Sequence, residues 1–285
     1  MADEMTLEKF EEACEIVGKV TNRTGLMYSQ CFSEQTGNKV YLKPENMQKT
    51  GAFKIRGAYY KISTLSEEDR QKGLITASAG NHAQGVAYAA REYGCKAVIV
   101  MPTTTPLIKV NHTKEYGAEV VLYGNDYDEA CAHAVELSKE HGYTFIHPFD
   151  DLDVATGQGT ISMEIFKELP LVDYILVPIG GGGLASGVAT LAKMLNSKIK
   201  VIGVEPTGAN CMEQSLKKGE VIFLDHSATI ADGTAVRKPG ENLLEHPERY
   251  SETQKDELLG DEEVNELYQQ LIETRQSLRV SCHGY

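Results

Sequence analysis

Three short segments of this chain carry residue types capable of covalent or anion-binding chemistry. The first runs from Ile179 to Leu184 and contains four consecutive glycines, Gly180, Gly181, Gly182 and Gly183. It follows an apolar stretch and precedes a helical one. Glycines there let several backbone N–H groups converge on one small anion, and the helix N-terminus adds partial positive charge. A phosphate cradle is one reading; a tight strand–helix turn that needs close packing is the other. Gly180, Gly182 and Ala185 also satisfy a degenerate dinucleotide fingerprint, with Glu205 ending the next strand where a ribose-binding acid would sit. On this motif alone a nicotinamide or flavin enzyme is a rival.

The second segment runs from Glu45 to Ala58 and sets Lys54 between Phe53 and a group of small residues. A lysine in a confined, partly apolar place has its ammonium form disfavoured, so it can act as an amine nucleophile or a base. Arg56 nearby would push the same way. A surface lysine on an amphipathic helix is the ordinary alternative. The third segment, Ser78-Ala79-Gly80-Asn81-His82-Ala83-Gln84, precedes an alanine-rich helix. Its small residues would let backbone N–H groups reach a carboxylate. Asn81 offers a donor and an acceptor, and His82 a titratable ring. A capped helix start is the competing reading.

These segments need a frame. From residue 74 onward, short apolar runs (74–77, 97–101, 118–123, 143–146, then 174–179 and 200–204) alternate with longer alanine-rich or amphipathic stretches. Strand then helix, repeated, predicts an α/β fold of parallel sheets with flanking helices. Two sheets fit better than one: a self-contained run over 76–150 and a second after Gly157. Ahead of them, Leu7, Phe10, Cys14 and Val17 share a helical face behind a Thr6 N-cap, and 39–43 reads as a short strand.

Charge narrows the class of partner. The 285 residues include 41 acidic and 28 basic side chains, a net charge of −13. Nucleic acid and anionic membranes both need clustered Lys and Arg, so neither is expected. Six scattered cysteines without a C-x-x-C pair read as free thiols of a reducing compartment. The polar, acidic N-terminus shows no targeting sequence. The uncharged window 174–192 contains Pro178 and the glycine run, which suits strand, loop and helix better than a membrane span. The expectation is a soluble, cytoplasmic protein. The Glu- and Asp-rich stretch 241–266 reads as a solvated surface.

Together, five motifs resemble the serine/threonine dehydratases, particularly the catabolic-type threonine ammonia-lyases: residues 50–58 around Lys54, the loop 78–85, Gly157-Gln158-Gly159-Thr160, the run 180–184 and the stretch 231–240. Those are pyridoxal-phosphate enzymes of the tryptophan-synthase-β (type II) fold. The resemblance implies two parallel-type sheet domains. Residues 1–66 and 152–285 would form a larger cofactor-binding domain, and 67–151 a smaller domain carrying the substrate loop. It implies pyridoxal 5′-phosphate as cofactor, joined through its aldehyde to Lys54, which would later act as base at the substrate Cα. Phe53 would pack beside the ring, Asn81 would hydrogen-bond the ring hydroxyl oxygen, and Gly180, Gly181, Gly182, Gly183 and Leu184 would bind the phosphate through backbone N–H groups. Ser78, Asn81 and His82 would face the substrate carboxylate. The implied reaction is β-elimination of a small hydroxy amino acid, L-threonine to 2-oxobutanoate and ammonia and also L-serine to pyruvate, in a homo-oligomer.

Three places depart from the family pattern. In the related serine racemases a second Ser follows the one matching Ser78. Here that residue is Ala79, whose methyl cannot transfer a proton, so elimination should dominate. Racemase-like relatives bind a divalent ion through an acid matching Glu205 and another six residues on. Here the second is Cys211, a poor ligand for a hard cation, and no metal is expected. Finally, residues 275–285 stand where the family has a glycine- and alanine-rich helix start and a final strand that bring a Ser or Cys to the pyridine nitrogen. Ser281 and Cys282 lie too early for that role. A shortened C-terminus is expected, with a racemase-like enzyme or a catalytically weak cofactor-binding relative as the alternatives.

Overall fold

The protein is described by a computed structural model over residues 4–241. The stretch after Glu241, including Ser281 and Cys282, lies outside the described residues. Helix α1 (Leu7–Val17) starts where the Thr6 side chain accepts from the Lys9 N–H, and it buries Phe10, Ala13 and Val17. A small antiparallel pair follows, β1 (Met27–Tyr28) with β2 (Tyr41–Leu42), on either side of α2 (Gln30–Thr36). Helices α3 (Lys54–Thr64) and α4 (Glu67–Lys72) lead into the first large sheet.

That sheet alternates with helices: β3 (Leu74–Ala77), α5 (Asn81–Glu92), β4 (Ala97–Met101), α6 (Leu107–Glu115), β5 (Glu119–Leu122), α7 (Tyr127–His141) and β6 (Thr144–Phe145). All its strands are parallel, in the order β5-β4-β3-β6. Strands β3 and β4 are buried along their whole length. One face sets Leu74, Ile99 and Met101 against Val86 and Ala90 of α5; the other sets Ile75, Val98 and Val100 against Ala130 and Ala134 of α7. Helices on both faces are why these strands read as continuous apolar runs rather than alternating ones.

The chain then forms α8 (Leu152–Glu168), β7 (Tyr174–Pro178), α9 (Gly183–Leu195), β8 (Lys200–Val204) and α10 (Cys211–Lys218). Strands β7 and β8 pair in parallel, and their inner face packs Ile175, Val177 and Val201 on Ile161, Ile165 and Val188. The uncharged window 174–192 is therefore strand, glycine turn and helix. Among the described residues no helix is long and apolar enough to cross a membrane. Cys14, Cys31, Cys95, Cys131 and Cys211 are free thiols.

Helix α8 is the hub, packing against α1, α3 and α9. The motif at 157–160 is how it does so. A Cβ on Gly157 would lie 2.7 Å from the Arg56 carbonyl oxygen and the Gly57 Cα, so the backbones of α8 and α3 touch. A Cβ on Gly187 would lie 1.9 Å from the Ala155 oxygen and 2.8 Å from the Gly159 nitrogen, so α8 and α9 touch as well.

A buried ion cluster locks the same elements. The Arg56 guanidinium is fully buried and donates through Nε and Nη2 to Glu45 (2.7 and 2.9 Å) and through Nη1 and Nη2 to Glu164 (2.7 and 3.0 Å). Lys43 Nζ reaches Glu164 at 2.5 Å. Two cations and two carboxylates leave the cluster neutral, and the bidentate geometry offsets the desolvation of burying them.

A one-carbon test follows from the helix contacts. Gly187→Ala should destabilise the protein by about 2–3 kcal/mol, because a methyl group must displace backbone rather than a flexible side chain. Urea unfolding of the variant against the unaltered protein measures this, and unchanged stability would refute the backbone contact.

Candidate functional site

Lys54 opens α3. Its Nζ donates to the Pro148 carbonyl at 2.7 Å and lies 5.4 Å from the centre of the Phe53 ring. Burial lowers its pKa to about 8, because a charged ammonium loses hydration there that one carbonyl does not replace. The expectation that Arg56 helps is not met: its charge is spent on Glu45 and Glu164, and burial is the whole cause. Helix α5 lies against the lysine backbone, where a Cβ on Gly85 would come within 3.1 Å of the Lys54 carbonyl carbon.

The loop 78–82 leaves the C-terminal end of β3. Ser78 keeps its N–H on the Val100 oxygen at 3.1 Å and accepts from the Gly80 N–H through Oγ at 3.2 Å. Asn81 is exposed at the first position of α5. The first-turn N–H groups of a helix have no acceptor inside it, so they and the positive end of the dipole are available to an anion. A Cβ on Gly80 would meet only open space. His82 is different: its ring is buried, with Nε2 3.1 Å from the Ile146 oxygen. A carbonyl can only accept, so Nε2 carries the proton and Nδ1 is a bare acceptor with no partner among the described residues. Burial first, and the Lys54 charge second, push the His82 pKa down to about 3, so the ring is neutral at ordinary pH. The donor that His82 can offer to an anion in this loop is therefore its backbone N–H.

The glycine run leaves the C-terminal end of β7 and opens α9. Gly182 has φ 101°, a left-handed value that favours glycine. A Cβ on Gly181 would sit 2.2 Å from Cδ2 of Phe149, and one on Gly183 would sit 2.7 Å from the Phe149 oxygen. Close packing thus explains part of the run, and it leaves the loop N–H groups lining the start of a thirteen-residue helix. The motif 231–240 lies against the same loop. Gly240 N–H donates to the Gly181 oxygen at 3.0 Å, and a Cβ on Gly180 would be 3.2 Å from Val236 Cγ2.

Sequence reading missed the junction of these parts, residues 146–149. Ile146 accepts from His82, Pro148 accepts from Lys54, and Phe149 fills the space beside Gly181 and Gly183. Lys54 and the glycine run, 126 positions apart in the chain, meet on two adjacent residues. A topological signal was available: loops 78–82, 146–149 and 179–183 all follow the C-terminal ends of parallel strands, where ligands bind in open α/β sheets.

Glu205 is engaged elsewhere. It accepts from the N–H groups of Met212 (3.1 Å) and Glu213 (2.8 Å) at the start of α10, and burial raises its pKa to about 7. That use competes with the ribose-binding role of the dinucleotide reading. Cys211 donates its thiol to the Val236 oxygen at 3.4 Å. Among the described residues no group of three or more His, Cys, Asp or Glu is placed to hold a metal ion.

An amine held near neutrality beside an aromatic ring, with a run of N–H groups at a helix start joined to it by one turn, has the donor set that an aldehyde with a phosphate arm requires. Known proteins agree. The chain is 49% identical over 246 residues to an L-threonine ammonia-lyase of Thermotoga maritima, covering 86% of this chain and 61% of that protein. It thus spans less than two thirds of that relative's length. Among solved structures it matches the processed form of threonine deaminase isoform 2 from Solanum lycopersicum, with TM-score 0.81 and 43% identity over 86% of this chain and 69% of the other. It also matches maize serine racemase, with TM-score 0.82 and 37% identity over 88% and 75%. The family model described as pyridoxal-phosphate dependent enzyme matches residues 18–282, and the chain belongs to that family.

Proposed function

We propose that this protein is a threonine ammonia-lyase that converts L-threonine to 2-oxobutanoate and ammonia and also accepts L-serine. The observation that carries the reading is the meeting of the Lys54 amine and the glycine run on Pro148 and Phe149. When bound, pyridoxal phosphate supplies an aldehyde for an amine and an electron sink for charge developing at the substrate Cα.

The protein's own residues do the rest. Lys54 would hold the cofactor through its side-chain amine, and the same amine, when free, would take the proton from the substrate Cα. The N–H groups of Gly180 to Leu184 would hold the phosphate, Phe53 would pack beside the ring, and Asn81 would hydrogen-bond the ring hydroxyl oxygen. Ser78, Asn81 and the His82 backbone orient the substrate carboxylate. The β-hydroxyl would leave as water with the proton that Lys54 took from Cα, and the released enamine would take up water to give the 2-oxo acid and ammonia. Serine lacks one methyl group of threonine, a difference worth roughly 1–3 kcal/mol in a fitted pocket, so both should turn over.

Three measurements test this. Protein reconstituted with pyridoxal phosphate should show a visible absorbance band that borohydride removes, and it should produce 2-oxobutanoate from threonine. Lys54→Ala should lose the band and, on the order of 10³-fold, the activity. A colourless protein, or a band without 2-oxobutanoate, would refute the assignment. A lysine must lose its proton to attack an aldehyde, and here half the amine is free near pH 8. The rate of band formation should therefore climb through about pH 8; a climb confined to pH 10 and above would contradict the burial argument. Lastly, the unaltered protein should form little D-serine from L-serine, and Ala79→Ser should raise that rate relative to pyruvate. Substantial racemisation without the substitution would favour the racemase reading.

A further inference from the structure

We propose that His147 is a positioning residue for the cofactor: its ring builds the turn that fixes the acceptor of the lysine and the packing partner of the glycine run as one rigid piece. The proposal deepens the reading that Lys54 and residues 180–184 take pyridoxal phosphate, and rests on it.

His147 Nδ1 accepts two backbone hydrogen bonds, from the Phe149 N–H at 3.3 Å and the Asp150 N–H at 2.8 Å. A ring nitrogen that accepts carries no proton, so the imidazole is neutral and protonated on Nε2. The same ring meets Phe149 edge to face, with centroids 4.9 Å apart and planes at 88°. Phe149 in turn occupies the space a side chain on Gly181 would need. Between the two, the Pro148 carbonyl receives the Lys54 amine. The far end of the turn is tied as well: Asp150 Oδ2 accepts from the Glu241 N–H at 3.1 Å, next to Gly240, whose own N–H binds the Gly181 oxygen.

One side chain therefore orders both halves of the cofactor site while touching neither Lys54 nor the glycines by hydrogen bond. Without the acceptor, two N–H groups on a partly buried turn lose their partner, and the Pro148 carbonyl and the Phe149 ring are free to shift independently. An ångström of shift there separates the amine from the anion cradle, which a ligand bound at both ends must match.

Two substitutions separate positioning from bulk. His147→Phe keeps an aromatic ring and removes the acceptor. His147→Asn removes the ring but keeps an oxygen able to accept from the N–H groups two and three residues on, as in an Asx turn. Affinity for pyridoxal phosphate is read from titration of the visible band, and folding from the thermal midpoint of the cofactor-free proteins. His147→Phe should weaken cofactor affinity at least tenfold, and His147→Asn should stay within about threefold of the unaltered protein. Equal affinity in His147→Phe, or equal loss in both variants, overturns the proposal. Should His147→Phe fail to fold, amide exchange in the unaltered protein decides: the Phe149 and Asp150 N–H groups should be protected as strongly as those in the middle of α8, and rapid exchange overturns the proposal. Absence of a band in the unaltered protein would instead sink the underlying assignment.

Discussion

The contact on which the rest of the site depends is the backbone touch of α8 with two other helices. Gly157 of α8 meets Gly57, three residues after Lys54, and Gly159 meets Gly187, four residues after Gly183. Each contact lies about one turn behind the end of the helix that carries chemistry. With no side chains between them, the three helices have little freedom to slide. Two helix starts, one carrying an amine and the other a ring of N–H groups, are thereby held on one support. Rigid elements hold such a constellation more accurately than loops do.

Charge is arranged to match. The only fully buried guanidinium among the described residues, Arg56, is two positions from Lys54, yet it is neutralised by Glu45 and Glu164. Among the described residues the lysine amine thus has no charge of either sign in direct contact. An adjacent carboxylate would have held the ammonium form and kept the amine unreactive at neutral pH. Keeping Glu45 and Glu164 occupied by Arg56 and Lys43 frees Lys54 to titrate near the pH at which a cell works. The neutral ring of His82, and that of His147, whose Nδ1 accepts two backbone N–H groups, extend that environment without adding charge.

The anion-binding capacity comes from backbone rather than side chains. Loops 78–82 and 179–183 each run from the end of a parallel strand into a helix, so each offers uncommitted N–H groups and the positive end of a helix dipole. In the proposed function one helix start takes a phosphate and the other a carboxylate, and the lysine stands at the head of a third helix. The protein can therefore carry a net charge of −13 and still present local sites for anions.

Much of this was legible in the chain. The alternation of apolar runs and helical stretches foretold both parallel sheets; in the first, β3 and β4 are covered on two faces and so are apolar at successive positions. Thr6 as N-cap and the break of the window 174–192 at its glycines also depended on local residue types alone. What the chain could not disclose is what those residues face. Glycine spacing does not say whether Gly181 is small for a phosphate or for Phe149, and a lysine's pKa depends on neighbours distant in sequence. Arg56 looked like an aid to Lys54 until the fold paired it with Glu45 and Glu164. Nothing in the residue order singles out His147, because its partners are backbone N–H groups whose direction only the folded turn defines. Local chemistry follows from residue type and order; proximity, burial and the spending of charge follow from packing, and packing is a property of the whole chain.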